Sequence, residues 1–294
     1  MLGLGAVDVP GEQTTVIRGW HVTMTQPNPL RVAWSVLRAR RVRPPAPRAS
    51  EPVDEPDRHE DLATILETLA AAGTPALVDL RSRLDRYRDR LAGVDPDDLD
   101  RPSALAYWID LYNAGALRLA GDALAAGRTT VLRVPGAFDD PWVEVAGEAL
   151  SLNDVEHGKI RRFGDPRIHG ALVCGSVSCP TLRYEPFVGD RIDRQLDDQM
   201  RSFLAAGGAS YGPAEGTLTL SRVFLWYGGD FTRPSRMPTW LPARASNLAA
   251  AVSRWLADDV ARAIEASDPK VRFASYDWGL ACSLAARPPS PPSS

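Results

Sequence analysis

The apolar residues of this chain recur mostly at helical spacing, and the pattern predicts a framework of helices. Leu77, Leu80, Leu84 and Leu91 fall on one face of a helix, while Arg and Asp residues occupy the positions between them. The same reasoning applied along the chain predicts helices over residues 62–91, with a break at Gly73-Thr74-Pro75, and over 106–119, 191–204 and 247–264.

Shorter apolar runs between these helices predict strands. Residues 142–150 have the pattern of a hairpin, and single strands are predicted over 168–173, 218–225 and 271–274. Because helices mostly precede strands, the expected fold class is α+β, with a single helical-rich domain and a small, mainly antiparallel sheet. This domain is expected to span residues 58–284.

The two ends of the chain differ in composition from the middle. Residues 1–57 predict a disordered, basic extension and linker, and residues 285–294 predict a disordered tail rich in Pro and Ser. The apolar stretch around Trp34 is far shorter than the roughly 20 residues that cross a membrane. Its Arg residues mostly follow it, which is unlike a signal peptide. A weak contact with a membrane surface through residues 30–43 is the alternative to a free tail.

Composition narrows the function classes by exclusion. The 294-residue chain has a formal net charge of −3, which argues against general binding of nucleic acids. Its three cysteines are too few for a disulfide framework, so we expect reduced thiols and a cytoplasmic protein. The sequence has no glycine-rich phosphate loop, dinucleotide fingerprint or HExxH zinc motif, and no cofactor is predicted.

Two cysteines stand close together in the segment from Asp165 to Leu182. Cys174 and Cys179 are separated by four residues, and His169 precedes them. Pro180 suits the first turn of a helix, where the helix dipole would stabilise a thiolate on Cys179. Cys174 follows an apolar run and is expected to point into the core. Cys282 is expected to have no role beyond packing.

A carboxylate and an imidazole are adjacent in the segment from Ser151 to Arg162. Glu156 can raise the pKa of His157 and hold its ring in one orientation. Asn113 lies in the apolar helix of residues 106–119, where a buried amide needs a hydrogen-bond partner. That amide can be structural, or it can orient a catalytic histidine, as an Asn does in papain-type proteases.

These segments together resemble a family of bacteria and plants known as domain of unknown function 547 (DUF547). The resemblance rests on four motifs that occur in order over roughly residues 62–280. They are Tyr107–Ala114, Leu152–His157, Asp165–Pro180 and the ending Phe273–Leu280. The chain departs from the family at Asp110, where Asn is frequent, and at Gly279, where Ser is common. The resemblance implies little about activity, but it does imply that Asp165 and Arg167 tie their segment to a neighbouring element.

Three hypotheses about function follow from these residues. The first is a thiol-dependent hydrolase or acyltransferase that acts on an unidentified small molecule or peptide. In it Cys179 is the favoured nucleophile and Cys174 the other candidate, His157 or His169 is the base, and Glu156 or Asn113 orients the base. The second is a metal site built from the same Cys, His and Glu side chains. The third is a non-enzymatic scaffold or interaction domain with a buried polar network.

Overall fold

The structure, a computed structural model, describes residues 15–17, 20–22, 37–38, 40–46, 56–282 and 284. It has the expected α+β class, with many helices and small sheets. Within the described ranges, no helix is long and apolar enough to cross a membrane. The predicted domain limits stay a prediction, as does the behaviour of the tail after residue 284.

Three long helices form the first half of the fold: α1 (Pro56–Ala72), α2 (Leu77–Ala92) and α3 (Arg101–Ala125). Gly73 takes a positive φ of 71° and Pro75 lies in the following turn, which explains the predicted break between α1 and α2. Asp100 caps α3 by accepting a hydrogen bond from the Ser103 amide. The helix of residues 106–119 is therefore confirmed as part of α3.

Helix α3 lies at the centre of the larger apolar core and is buried along most of its length. Small residues allow its neighbours to approach closely. A Cβ atom at Gly115 would lie 2.5 Å from Leu152 Cδ2, and one at Gly121 would lie 2.6 Å from the Leu77 carbonyl oxygen. The glycines thus set the distance of α3 from α2 and from the segment after the hairpin.

The predicted hairpin is confirmed as β3 (Pro141–Val145) and β4 (Glu148–Ser151), which pair antiparallel. Its two-residue turn, Ala146-Gly147, has positive φ at both positions, as a type I′ turn requires. A wide helical turn (Asp154–Lys159) and a tight one (Ile160–Phe163) follow, and Gly164 ends them with a left-handed conformation.

The strand predicted over residues 168–173 is wrong. Ile168–Ala171 forms a short helix, α4, and an irregular segment follows it. The Asp165 carboxylate accepts a hydrogen bond from the Arg167 amide, and this local contact starts a helical turn. A short, wholly buried apolar run has no periodicity that separates a strand from a helix.

The second half of the fold has its own apolar core, which runs from Met200 to Ile264. Helix α5 (Ile192–Phe203), predicted over 191–204, leads into it. Strands β5 (Ala209–Gly212) and β6 (Thr217–Leu220) pair antiparallel, and β7 (Lys270–Phe273) joins β6 in parallel. Four helices accompany this sheet: α6 (Arg222–Trp226), α7 (Gly228–Thr232), α8 (Ala245–Ser253) and α9 (Asp258–Ser267).

Two predictions for this half need correction. The strand predicted over 218–225 ends at Leu220, because the Ser221 hydroxyl accepts a hydrogen bond from the Val223 amide and starts α6. The single late helix predicted over 247–264 is two helices. Ala257 is extended between them, and Asp258 and Asp259 begin the second, where carboxylates favour a helix N-terminus.

Part of the described N-terminal extension contacts the rest of the fold. Strands β1 (Thr15–Ile17) and β2 (Trp20–Val22) pair with each other as a short antiparallel hairpin, and residues 38–43 make the outside contacts. The Arg38 guanidinium donates to Asp154 Oδ2 at 2.6 Å, Val42 is buried in the larger core, and Arg43 pairs with Asp97. The disordered basic extension predicted over residues 1–57 stays a prediction. Most of the proposed membrane-contacting segment, residues 30–36 and 39, lies outside the described residues.

Candidate functional site

The buried amide of Asn113 fixes the backbone that leads into the cysteine loop. Its Nδ2 donates to the Ala171 carbonyl at 3.1 Å, and its Oδ1 accepts from the Val173 amide at 3.0 Å. Both ends of the amide are thereby satisfied, as its burial requires. Asn113 therefore positions the residues just before Cys174, and neither of these bonds is to a histidine.

The loop that follows reverses direction and brings Cys174 and Cys179 together. Gly175 has a φ of 76°, in the left-handed region that glycine adopts without strain. The Cys179 amide donates to the Ser176 carbonyl at 3.1 Å, which closes a tight turn. The Cys174 amide then donates to the Cys179 sulfur at 2.8 Å.

The predicted helix start at Pro180 is wrong. The backbone continues in an irregular path, and Leu182 forms a parallel bridge with Leu284 near the end of the described chain. A Pro can begin a helix only where the next residues also turn, and here the chain is drawn into an extended pairing instead. No helix dipole therefore acts on Cys179.

Residues 274–282, the C-terminal strap, cross the cysteine loop and hold it in place. The Val177 amide donates to the Gly279 carbonyl at 2.8 Å, and the Ala281 amide donates to the Gly175 carbonyl at 3.1 Å. Asp277 donates its amide to Ser178 Oγ at 2.8 Å. Through these bonds the strap places Tyr276 and Cys282 beside the two loop cysteines.

Hydroxyl groups surround the sulfur of Cys174. Ser176 Oγ lies 3.0 Å and Tyr276 Oη 3.3 Å from this sulfur, and Ser176 also donates to Tyr276 Oη at 3.0 Å. A hydrogen bond from the Cys179 thiol has the largest effect, and together with these hydroxyls it outweighs burial and lowers the pKa of Cys174 to about 7. Cys174 is half-buried, as are Cys179 and Cys282.

The other two thiols are held in their neutral form. Burial raises the pKa of Cys179 well above its ordinary value, and the neighbouring Cys174 adds to the effect. Burial also raises the pKa of Cys282 to about 12. The site therefore has one thiol that ionises near neutral pH and two that do not.

A small cleft opens beside this loop, with a cavity volume of about 10 Å³, which is room for about one water molecule. Its walls combine the loop with the strap, and they are polar and apolar in about equal parts. The lining residues are Val173, Gly175, Ser176, Cys179, Pro180, Leu182, Ala281 and Cys282. The cleft is far smaller than an ordinary ligand pocket, and Cys174 is not part of its lining.

Three aromatic rings support the strap at Tyr276. Tyr276 packs against Trp226 and Trp278 with ring centroids 4.8 and 4.6 Å apart, and the two indoles stack at 5.6 Å. Such offset contacts restrain ring orientation as well as burying surface. The stack therefore holds the Tyr276 hydroxyl at the Cys174 sulfur.

Glu156 and His157 lie in a separate buried polar group. His157 Nδ1 is 3.7 Å from Glu156 Oε1 and 3.3 Å from Arg161 Nη1, and its ring packs edge-on against Trp240. Burial lowers the pKa of His157 to about 4, which is the reverse of the rise that a carboxylate neighbour alone would produce. His157 is therefore a neutral imidazole at physiological pH.

His169 belongs to the same polar group and is part of its most buried portion. Its Nε2 lies 2.9 Å from Asp230 Oδ2, and its ring stacks on Tyr227 at 4.0 Å. Asp230 also accepts two hydrogen bonds from Arg161, at 2.8 and 3.0 Å, and one from the Thr239 amide. Each of these buried polar groups has a hydrogen-bond partner, as is typical of a structural network.

The predicted site residues thus fall into two groups. The cysteines share one loop, and the histidines and Glu156 share the network around Asp230. Over the described part of the chain, no hydrogen bond joins a cysteine sulfur to either imidazole. Tyr112 links the groups, because it donates to Glu156 Oε2 at 3.1 Å and the charges of both loop cysteines act on its hydroxyl.

No set of three or more His, Cys, Asp and Glu side chains within the described ranges is arranged to hold a metal ion.

Two residues of the cysteine site were not among those predicted from the sequence. Tyr276 contacts Cys174 directly, and Cys282 lines the cleft. The only sequence signal for Tyr276 was its place in the ending Phe273–Leu280, which lies about 100 residues after Cys174. Cys282 had no signal, since a single cysteine near an end carries no pattern.

Comparison with known proteins agrees with the motif resemblance. Residues 96–204 match the model of a family described as "Protein of unknown function, DUF547". The matched region is less than half of the 294-residue chain. This region includes Asn113, Glu156 and both loop cysteines, whereas Tyr276 and Cys282 on the strap lie outside it. No curated protein and no solved structure matches the chain.

Arg167 joins α4 to α5 in the way that the motif resemblance implied. Its guanidinium contacts Asp165 at 2.7 Å, Asp193 at 2.6 Å and Asp197 at 3.1 Å.

We expect Arg167→Lys to lower the free energy of unfolding by about 1 kcal/mol, because an ammonium cannot make the bidentate contact with Asp165. Thermal denaturation would measure the change, with Arg191→Lys as the exposed control. A melting temperature equal to that of the parent would show that the three contacts are not stabilising.

Proposed function

We propose that this protein is a thiol-dependent enzyme that hydrolyses or transfers acyl groups, with Cys174 as its nucleophile. The observation that carries the proposal is the Tyr276 hydroxyl, which accepts a hydrogen bond from Ser176 and lies 3.3 Å from the Cys174 sulfur, where it can donate its own hydrogen. A hydrogen bond donated to a sulfur favours its thiolate, and the thiolate is the reactive form. Cys179, which the sequence favoured, has a raised pKa and serves as the neighbouring thiol instead.

The proposed mechanism does not use His157 as a base. A thiol with a pKa near 7 is already part thiolate at neutral pH, so attack on an acyl carbon needs no separate proton acceptor. The Cys179 thiol lies beside the nucleophile and would supply a proton to the leaving group. The resulting thioester would then pass its acyl group to water or to a second acceptor.

The small size of the cleft favours a short acyl group as the reacting part of the substrate. Because the cleft has room for about one water molecule and Cys174 does not line it, the acyl carbon would reach the Cys174 sulfur from the solvent side of the loop. The rest of the substrate, whether a small molecule or a peptide, would lie outside over the strap. A cytoplasmic location, where thiols stay reduced, fits this chemistry and remains a proposal.

A scaffold without catalysis is the competing proposal, and one observation favours it. His169, Arg161 and Asp230 satisfy one another in the buried network, and the Asn113 amide is satisfied by backbone. Networks of this kind stabilise a unique core without any chemistry. In a scaffold, Cys174 would ionise but would not react with acyl groups.

The acyl-transfer proposal can be tested with p-nitrophenyl acetate. At pH 7 we expect a burst of about one equivalent of p-nitrophenolate per chain, with the acetyl group on Cys174 in tryptic peptides. Cys174→Ser should abolish the burst, and the matched control Cys282→Ser should retain it. Absence of a burst in the parent, or acetylation spread evenly over the three cysteines, would favour the scaffold.

A further inference from the structure

We propose that Cys174 and Cys179 form a redox pair, which a hydroperoxide converts to an intramolecular disulfide and a thiol reductant restores. This activity goes beyond acyl transfer, because it uses both thiols as electron donors. It needs no substrate in the cleft, only a small oxidant that reaches the loop. The proposal depends on the contact between the two cysteines and on the different surroundings of their sulfurs.

The loop already holds the two cysteines next to each other. The Cys174 amide donates to the Cys179 sulfur at 2.8 Å, and each thiol shifts the pKa of the other. The left-handed Gly175 and the turn from Ser176 to Cys179 produce this approach. Since only cysteines whose backbones lie close can bridge without large movement, the pair satisfies the first requirement for a disulfide.

The two sulfurs also have the unequal character that thiol oxidation requires. All three cysteines are half-buried, so exposure does not separate them. The Tyr276 hydroxyl beside the Cys174 sulfur favours its thiolate, so Cys174 would be the thiol that reacts with an oxidant. Cys179 has the raised pKa and would remain a thiol until the oxidised sulfur is beside it. A reactive thiol next to a resolving one is the usual arrangement of redox-active pairs.

The chemical steps balance with a hydroperoxide as the two-electron oxidant. The Cys174 thiolate attacks the distal oxygen of hydrogen peroxide, the O–O bond breaks, and the products are a sulfenic acid and hydroxide. The Cys179 thiol then attacks the Cys174 sulfur, which forms the S–S bond and releases water. Two equivalents of a small thiol return the pair to its reduced form by thiol–disulfide exchange.

Cys282 is a nearby thiol that should not take part. The Cys174 charge acts on it, and it lines the same cleft. Its backbone, however, is tied to the turn between α1 and α2, because its amide donates to Thr74 Oγ1 and its carbonyl accepts from that hydroxyl. Cys282→Ser is therefore a matched control, because it removes a thiol from the cleft beside the loop.

The experiment uses the full chain, reduced and freed of reductant, with hydrogen peroxide at pH 7. Free thiols are then alkylated and tryptic peptides are weighed. Cys174 and Cys179 fall in one peptide, from Ile168 to Arg183, and Cys282 falls in another. We expect the first peptide to appear two hydrogens lighter and without alkyl groups, and dithiothreitol to reverse the change.

Variants separate the roles of the two thiols. Cys179→Ser should accumulate a sulfenic acid at Cys174 that dimedone traps, and Cys174→Ser should leave Cys179 unoxidised. Cys282→Ser should form the disulfide at the rate of the parent. Two free thiols in the Ile168–Arg183 peptide after peroxide treatment, or a bridge from Cys174 to Cys282, would overturn the proposal. The burst with p-nitrophenyl acetate is measured separately, so either activity can fail while the other stands.

Discussion

Asp230→Ala will lower the free energy of unfolding by about 3–5 kcal/mol, because it leaves a buried guanidinium without its counter-charge. Arg161 and Asp230 are both fully buried, with 0% of either side chain exposed. The change also removes the partner of His169 and the acceptor of the Thr239 amide. Urea denaturation at pH 7 would measure the loss as a lower transition midpoint.

An exposed ion pair on α5 provides the control for this prediction. Arg194 and Asp198 lie 3.8 Å apart, and the Arg194 side chain is 86% exposed. Asp198→Ala should change the free energy of unfolding by less than about 1 kcal/mol. Equal effects of the two substitutions would show that the buried network contributes no more than a surface pair.

The effect of Asp230→Ala also has an expected pH dependence. Burial alone would raise the pKa of Asp230, but His169 and Arg161 outweigh it and hold this pKa well below its ordinary range. A carboxylate with a lowered folded pKa stabilises the fold above its unfolded pKa of about 4, and the contribution is lost as the pH falls further. The difference between parent and variant should therefore narrow below about pH 4.

Cys174 will be the first cysteine to react with iodoacetamide, by several-fold over Cys282 at pH 7. Its pKa of about 7 makes roughly half of it thiolate, whereas burial keeps Cys282 almost wholly protonated. A thiolate with a lower pKa is a weaker nucleophile. The ratio of the labelling rates of Cys174 and Cys282 should therefore be smaller than the ratio of their thiolate fractions. Pulsed labelling and mass spectrometry would give the rate at each site.

Two variants test the cause of this reactivity. Tyr276→Phe removes one hydroxyl from the Cys174 sulfur, and the midpoint of its labelling rate against pH should move upward. His157→Ala should leave the rate unchanged, because His157 contacts Glu156 and Arg161 rather than a sulfur. If Cys179 reacts first, or if the histidine variant slows labelling, the nucleophile is Cys179 with His157 as base, as the sequence had favoured.

The helices were predictable because their signals are local. The spacing of leucines gave α2, the Gly73-Thr74-Pro75 break separated it from α1, and the continuous apolar run indicated a buried α3. Local signals failed where an apolar run was short. Residues 168–171 and 222–225 could form either a strand or a helix, and the choice depended on a side-chain turn at Asp165 and a side-chain cap at Ser221.

The sequence by itself determined the helical-rich class, the hairpin, the family region and the set of polar residues that are candidates for a site. Only the tertiary structure decided that this set divides into the cysteine loop and the network around Asp230. The pKa of Cys174 depends on Cys179 and Ser176 in the same loop and also on Tyr276, which reaches Cys174 from 102 positions away. Burial made His157 neutral despite the adjacent Glu156, since desolvation depends on everything packed around a group and not on its neighbours in sequence.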